Sequence, residues 1–288
     1  QRQMCIRDRP ERKSRRGGGR GARREARGAA QAVSAPYLVR KTEPVDILSE
    51  EACQLIEENA ETVLEEIGID FRDDPEALAI LKDKGCDIKG ERVHFPRGLA
   101  RSLCKTAPSF FTQYARNPTR NVEIGGKNTV FAPVYGPPFV RDLNGERRYA
   151  EIEDFNNFVK LIYMLPGLHH SGGTVCEPVD LPVTKRHLDM VYAHLRYTDK
   201  PFMGSVTAPD RAEDTLNLAK IVFGEDVVGP KCVMVSLINA NSPMTWDDTM
   251  LGALKVYARA GQGTIISPFI LAGAMSPVSY THLTLPTT

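Results

Sequence analysis

Apolar positions along this chain follow two rhythms. In the first, Leu48, Ala52, Leu55, Ile56, Val63 and Ile67 recur at helical spacing. Ser49 is placed to cap that run, Glu50 and Glu51 fall in its first turn, and Gly68 ends it. The pattern predicts a packed amphipathic helix. A shorter helix is predicted from Pro75 to Gly85, and a third after Pro96 with Leu99 and Leu103 on one face. Short β-type pieces, Val93-His94-Phe95 and Phe111-Thr112-Gln113-Tyr114, accompany them, so residues 43–125 read as a mixed N-terminal α/β layer.

The second rhythm begins at Thr129, where short apolar strands alternate with helices. Strands are predicted at 129–134, 168–175, 201–206, 232–238 and 264–271, and the clearest is the near-continuous apolar run KCVMVSLINA, Lys231 to Ala240. Helices are predicted at about Glu151–Leu165, Pro182–Tyr197, Pro209–Phe223 and Thr245–Ala260. Ser171, Gly204, Ser236 and Ser267 mark successive strands at spacings of 33, 32 and 31 residues. One strand and one helix per repeat demands right-handed parallel crossovers, hence a (β/α)8 barrel or a doubly wound sheet. Even spacing and the lack of a GxGxxG or GxxxxGK[ST] sequence favour the barrel. A barrel of about 250 residues needs eight units. The fold expected is therefore an α/β TIM barrel truncated after about five βα units, over residues 126–278.

Charge changes the picture at the amino terminus. Residues 1–42 hold 13 Lys/Arg against 3 Asp/Glu, a +10 leader before a −9 body. The leader is Gly- and Arg-rich with almost no apolar residues, so it is expected to be disordered. It reads as a solvated leader or, alternatively, as an arm for nucleic acid or an acidic partner, and the acidic body makes a nucleic-acid role the weaker reading. The first ten residues, QRQMCIRDRP, and residues 279–288 share no pattern with their neighbours and are expected to be foreign to the fold, so that the native chain would stop near Val278. Cys5, Cys53, Cys86, Cys104, Cys176 and Cys232 show no CxxC spacing, which fits reduced thiols and a cytoplasmic protein. No apolar run approaches the length of a membrane span.

In a barrel, chemistry sits at the carboxyl ends of the strands. That places Tyr135, Gly136, Gly172, Gly173, Thr174, Glu177, Ser205, Thr207, Asn239, Asn241, Ser242, Ser267 and Gly273 at the productive face. Lys200 and Lys231 precede their strands, so neither is placed to form a Schiff base. Glu177 with Tyr135, Phe139 and Trp246 could make an aromatic, anionic box for an alkylammonium group. A metal site among His169, His170, Cys176, Glu177 and His187 is disfavoured, because adjacent histidines on a strand face opposite ways and no zinc spacing supports them. His187 and His194 read as surface or packing residues of one helix.

Several blocks resemble the N-terminal half of the trimethylamine methyltransferase family: SRRGGGR, SEEACQLIEENAETVLEEIGIDF, VYGPPFVRDLNGERRYAEIEDF, HHSGGTVCEPVDLP, INANSPMTWDDTML and SPFILAGAMSPV. The resemblance implies a (β/α)8 barrel that moves a methyl group from a methylated amine, such as trimethylamine or glycine betaine, to the cobalt of a small corrinoid protein. It implies a cytoplasmic homo-oligomer with no cofactor bound directly, since the corrinoid is carried by the partner protein. One branch of the family holds a pyrrolysine and the other acts on quaternary amines. The deciding position would lie in a C-terminal half, where the catalytic groups are also expected, so this fragment is not expected to act alone. The substrate-binding residues expected here are Tyr135, Glu177, Trp246, Asn239, Asn241 and Ser267. Competing readings are another TIM-barrel enzyme, aldolase-like or zinc-dependent, and a nucleic-acid-binding protein.

Overall fold

This computed structural model describes residues 35–268. The basic leader up to residue 34, the end of the strand expected at 264–271, Gly273 and the tail at 279–288 lie outside the described residues. Within them the chain is a mixed α/β structure of seven α-helices and several small sheets. No helix among the described residues is long and apolar enough to cross a membrane.

The N-terminal layer opens with β1 (Leu38–Val39) and α1 (Glu50–Thr62), which continues as a π-helical turn, Val63–Ile67, to Gly68. Ser49 caps α1 by accepting from Ala52 N at 3.3 Å, as its position predicts. The packing expectation fails, however: Leu55 is 60% and Ile56 is 56% exposed, and α1 has no buried residue. Its polar flank is what ties it down. The Arg97 guanidinium donates to Thr62 Oγ1 at 3.1 Å and Glu65 Oε2 at 3.2 Å, Arg101 pairs with Glu57, and Gly98 N donates to Glu61 Oε2 at 2.5 Å. Strand β2 (Ile69–Phe71), helix α2 (Pro75–Asp83), strands β3 (Asp87–Lys89) and β4 (Arg92–His94) and helix α3 (Leu99–Cys104) follow. Phe71, Ala77, Cys86 and Val93 form their small core, joined by Leu251 from far along the chain. Strands β5 (Phe110–Gln113) and β6 (Val122–Gly125) make an antiparallel pair, and β7 (Asn128–Thr129) pairs antiparallel with β1.

Beyond β7 the direction of pairing changes. After the hairpin β8 (Phe139–Arg141) and β9 (Arg147–Tyr149) come α4 (Ile152–Met164), α5 (Arg186–Tyr197), β10 (Phe202–Met203), α6 (Pro209–Phe223), β11 (Met234–Ala240), β12 (Thr245–Trp246), α7 (Asp248–Arg259) and β13 (Gly263–Pro268). Strands β10, β11 and β13 form one parallel sheet in that order, with Phe202 opposite Met234 and Asn239 opposite Ser267. The strands expected at 129–134 and 168–175 are largely irregular backbone, yet they run in the same sense beside β10. His169 N donates to Phe131 O at 2.9 Å, Gly136 N to Thr174 O at 2.6 Å, Ser171 N to Pro201 O at 2.7 Å and Met203 N to Gly172 O at 2.8 Å. Pro133, Pro137 and Pro138 have no N–H for a ladder, and Gly172 takes a φ of 81°, so regular strand is broken there.

Two helices start later than expected. Thr245–Trp246 is spent on β12, which pairs parallel with Asp70–Phe71, so α7 begins at Asp248 under the Asp247 cap, whose Oδ1 accepts from Met250 N at 2.8 Å. The helix expected from Pro182 begins at Arg186. The main core lies between sheet and helices: Val191, Leu195, Phe202, Leu216, Met234, Ile238 and Tyr257 are all buried there. Lys200, just before β10, is 4% exposed and donates through Nζ to the carbonyls of Ile162, Leu165 and Leu168 at 2.6, 3.0 and 2.7 Å. Burial, helped by the Arg120 charge and opposed by that of Asp199, lowers its pKa to about 8.

Candidate functional site

The carboxyl ends of three parallel segments, 131–136, 169–174 and 202–206, meet the first turns of α5 and α6 around a cavity of about 50 Å³. That is room for about four waters. Tyr135, Thr174, Glu177, Arg186, His187, Ser205, Thr207 and Arg211 are among its lining. The backbone irregularity is what shapes it. At Gly173 a Cβ would stand 2.7 Å from Cε2 of Tyr135 and 3.0 Å from Cβ of Met203, so the ring approaches a position that only glycine leaves open. At Gly204 a Cβ would stand 2.4 Å from the Tyr257 hydroxyl, which donates to Ser205 O at 2.5 Å and fixes that strand end.

Charge at the cavity is paired on one side. Arg186 donates to Glu177 Oε1 at 2.5 Å and to Leu181 O at 2.9 Å, with its side chain 13% exposed. Arg211 donates to the Thr207 hydroxyl at 2.6 Å. His187, 4% exposed, is a packed and not a surface residue, and it places Nε2 2.8 Å from Asp214 Oδ2. Burial raises the pKa of Tyr135, the Glu177 charge adds to the rise, and the Thr174 hydrogen bond opposes it, so the phenol stays neutral at ordinary pH.

Behind the cavity lies a buried polar lattice that spacing alone did not reveal. His194 Nε2 is 2.7 Å from Gly173 O, a group that can only accept, so Nε2 carries the proton and Nδ1 accepts from the Ser171 hydroxyl at 2.5 Å. By the same logic Gly172 N–H donates to His170 Nδ1 at 2.8 Å, His170 Nε2–H to Gln113 Oε1 at 3.2 Å, and Gln113 Nε2 to Phe202 O at 3.0 Å. Burial pushes the pKa of His170 down to about 3 and that of His194 to about 4, so both rings are neutral. His194 is 2% exposed and holds the glycine backbone under Tyr135; it is not a surface residue.

Of the residues expected from sequence, Tyr135 and Glu177 line the same cavity. Asn239 and Ser267 face one another in register on β11 and β13. Asn241 is engaged with its own loop, donating to Asp247 Oδ2 at 2.7 Å while its Oδ1 accepts from Asp247 N at 3.2 Å. Trp246 stands on β12 opposite Phe71, packed between the main core and the N-terminal core, and does not line the cavity with the other two. Sequence reasoning missed Arg186 and Arg211. Their signal was position, since each falls in the first turn of a helix that follows a strand end, where a side chain reaches the mouth. Among the described residues no group of three or more His, Cys, Asp or Glu could hold a metal ion.

A model of the trimethylamine methyltransferase (MTTB) family matches residues 16–285. The glycine betaine methyltransferase of Desulfitobacterium hafniense (strain Y51) is 46% identical over 235 residues, which cover 81% of this chain and 49% of that protein. The chain thus spans about half the length of the curated relative it matches. With the match running through both the N-terminal layer and the parallel segments, the chain belongs to the trimethylamine methyltransferase family.

Proposed function

We propose that the protein carrying this chain moves a methyl group from a methylated tertiary or quaternary amine, such as trimethylamine or glycine betaine, to the cobalt of a corrinoid protein. Its parallel segments are then part of a (β/α)8 barrel, and the corrinoid protein docks over the strand carboxyl ends. In this reaction the C–N bonding pair leaves with nitrogen as a neutral amine, and cobalt(I) supplies the pair for the new C–Co bond. The chain's tasks are to bind a cation, exclude water and align two reactants, and none needs a strong base. The observation that carries the reading is the cavity itself, lined by Tyr135 at the strand ends, in a chain of this family.

In this reading Tyr135 presents its ring face to the methylammonium and Glu177 sets the position of Arg186. Asn239 and Ser267 extend the site along the neighbouring strand ends, while Asn241 and Trp246 hold the β11–α7 loop in place. An aldolase-like alternative would need a lysine at the mouth. Lys200 is instead consumed by three carbonyls before its strand, and Lys231 lies over the Tyr114 ring at 5.0 Å, also before its strand. The test is spectroscopic: the full-length protein, a cobalt(I) corrinoid protein and the amine should together convert the cobalt(I) absorption to that of methylcobalt(III). A cobalt(I) signal that persists with each methylated amine would refute the activity.

A further inference from the structure

The stretch that follows Tyr135 leaves the strand ends and folds back on itself before α4 begins. Pro137 O accepts from Glu177 N at 3.0 Å, Pro138 O from Ala150 N at 3.1 Å, and Ala150 O from Val179 N at 2.9 Å. The base of the β8–β9 hairpin is thereby sewn to the rim of the cavity that Tyr135 and Glu177 line. Side chains alternate across its two strands. Val140 and Arg148 take the inner face, where Val140 joins a buried core with Ala150 and Phe155, and Arg148 donates to both carboxylate oxygens of Asp154 at 2.6 and 2.7 Å. The carboxylate of the turn is committed as well, since Asp142 Oδ1 accepts from Asn144 N at 2.9 Å and Glu146 N at 3.1 Å.

The outer face is of another kind. Phe139 and Tyr149 are cross-strand partners with ring centroids 4.6 Å apart, and the Arg147 guanidinium lies 3.8 Å from the Phe139 ring centroid. Arg141 stands directly opposite Arg147. Like charges placed across a strand pair repel, and among the described residues neither arginine has a carboxylate within salt-bridge distance. Leu143 is fully exposed at the turn. Two unpaired guanidiniums, an aromatic pair and an apolar tip therefore stand together on a body whose net charge is −9. Arginine and aromatic side chains are the groups enriched in protein interfaces, and a guanidinium already stacked on a ring loses less freedom when a partner arrives.

We propose that this outer face docks the protein that carries the methyl acceptor, and that the docking partner presents carboxylates to Arg141 and Arg147 and an apolar contact to Leu143 and Tyr149. The inference rests on the methyl-transfer reading above and adds to it the surface used and the charge of the partner. A partner held at the hairpin lies beside the cavity, over the carboxyl ends of the parallel segments. Opposite charge steers the encounter and fixes its register, and the chemistry inside the cavity does not depend on it.

The test is steady-state methyl transfer by the full-length protein, followed by loss of the cobalt(I) absorption while the concentration of corrinoid protein is varied. Changing Arg141→Glu and Arg147→Glu together should raise the KM for the corrinoid protein by about tenfold or more. The kcat and the KM for the amine should stay within about twofold, with an unchanged thermal midpoint, because neither side chain lines the cavity or the core. Added salt should raise the KM for the corrinoid protein in the wild type and leave that of the variant nearly flat. The same KM in a wild type and a variant that both turn over would overturn the docking surface while the methyl-transfer reading stood, and so would a lower kcat at constant KM. Sedimentation of the protein alone supplies a second arm: a wild-type oligomer that the double variant dissociates would assign the face to a second copy of this chain and overturn the proposal. If the wild type moved no methyl group to the corrinoid protein, the methyl-transfer reading would fall and the docking surface with it.

Discussion

The five parallel segments of this chain divide into two kinds. Strands β10, β11 and β13 make a regular parallel ladder, in which Met234 and Ile238 of the central β11 are fully enclosed. Segments 131–136 and 169–174 run alongside in the same direction, but proline and glycine have removed their ladder. Side chains supplement the few backbone bonds that remain: His169 Nδ1 accepts from Phe131 N at 3.0 Å, His170 Nδ1 accepts from Gly172 N and His194 Nε2 donates to Gly173 O, while Gln113 and Ser171 hold the two buried rings. The cavity lies at the carboxyl end of this second pair. A regular strand spends its backbone groups on its neighbours. The irregular pair frees space for Tyr135 and relies on buried neutral histidines to hold the backbone.

That difference predicts opposite sensitivities. Acid should act first and most strongly on the histidine-held side. Both folded pKa values, about 3 for His170 and about 4 for His194, lie below the ordinary 6.5, so the stability they support is whole above pH 6.5 and is lost as pH falls toward 4. Each ring costs about 2 kcal/mol at pH 5, about 4 kcal/mol together. Urea midpoints at pH 7.5 and pH 5.0 check this, and His194→Phe should remove about half of the dependence. Midpoints that do not move would mean that the two rings are not buried neutral.

The regular side should answer to volume and not to pH. Ile238→Ala, at a fully buried position of β11, should cost about 3 kcal/mol at both pH values. A smaller effect is expected where the two sides differ most in backbone. Gly173→Ala drives a Cβ against the Tyr135 ring and should cost about 2 kcal/mol while weakening amine binding more than Ile238→Ala does. Equal binding by those two variants would break the link between the irregular backbone and the site. Smallest of all should be Arg101→Ala on the exposed flank of α1, worth less than about 1 kcal/mol by chemical denaturation because its partner Glu57 is also half in water.

How much of this was legible beforehand follows the same division. Spacings of 31–33 residues between Ser171, Gly204, Ser236 and Ser267 demanded parallel crossovers, and β10, β11 and β13 pair in parallel. Pro209 and Phe223 bound α6 as the sequence suggested, because a proline start and a glycine stop are local signals. The loss of ladder at 131–136 was also local, in Pro133 within it and Pro137 and Pro138 just after it, but the apolar pattern outweighed it. What the sequence could not reveal depended on distant partners. The apolar row of α1 gives no sign that nothing among the described residues covers it. Glu177 gives no sign that Arg186 neutralises it, nor His194 that it lies beneath a glycine pair. Trp246 looked like a mouth residue because it follows β11, and the pairing that turns it toward Phe71 joins residues far apart in the chain.

The proposed chemistry requires that the cavity lined by Tyr135 be the amine site. The most direct measurement is the dissociation constant of the bound methylated amine for the full-length wild type and for Tyr135→Leu, with thermal midpoints compared in parallel. A desolvated cation–π contact of about 2 kcal/mol predicts binding about thirtyfold weaker in the variant at a similar midpoint. Equal affinity in the two proteins would contradict the claim and move the site elsewhere in the fold.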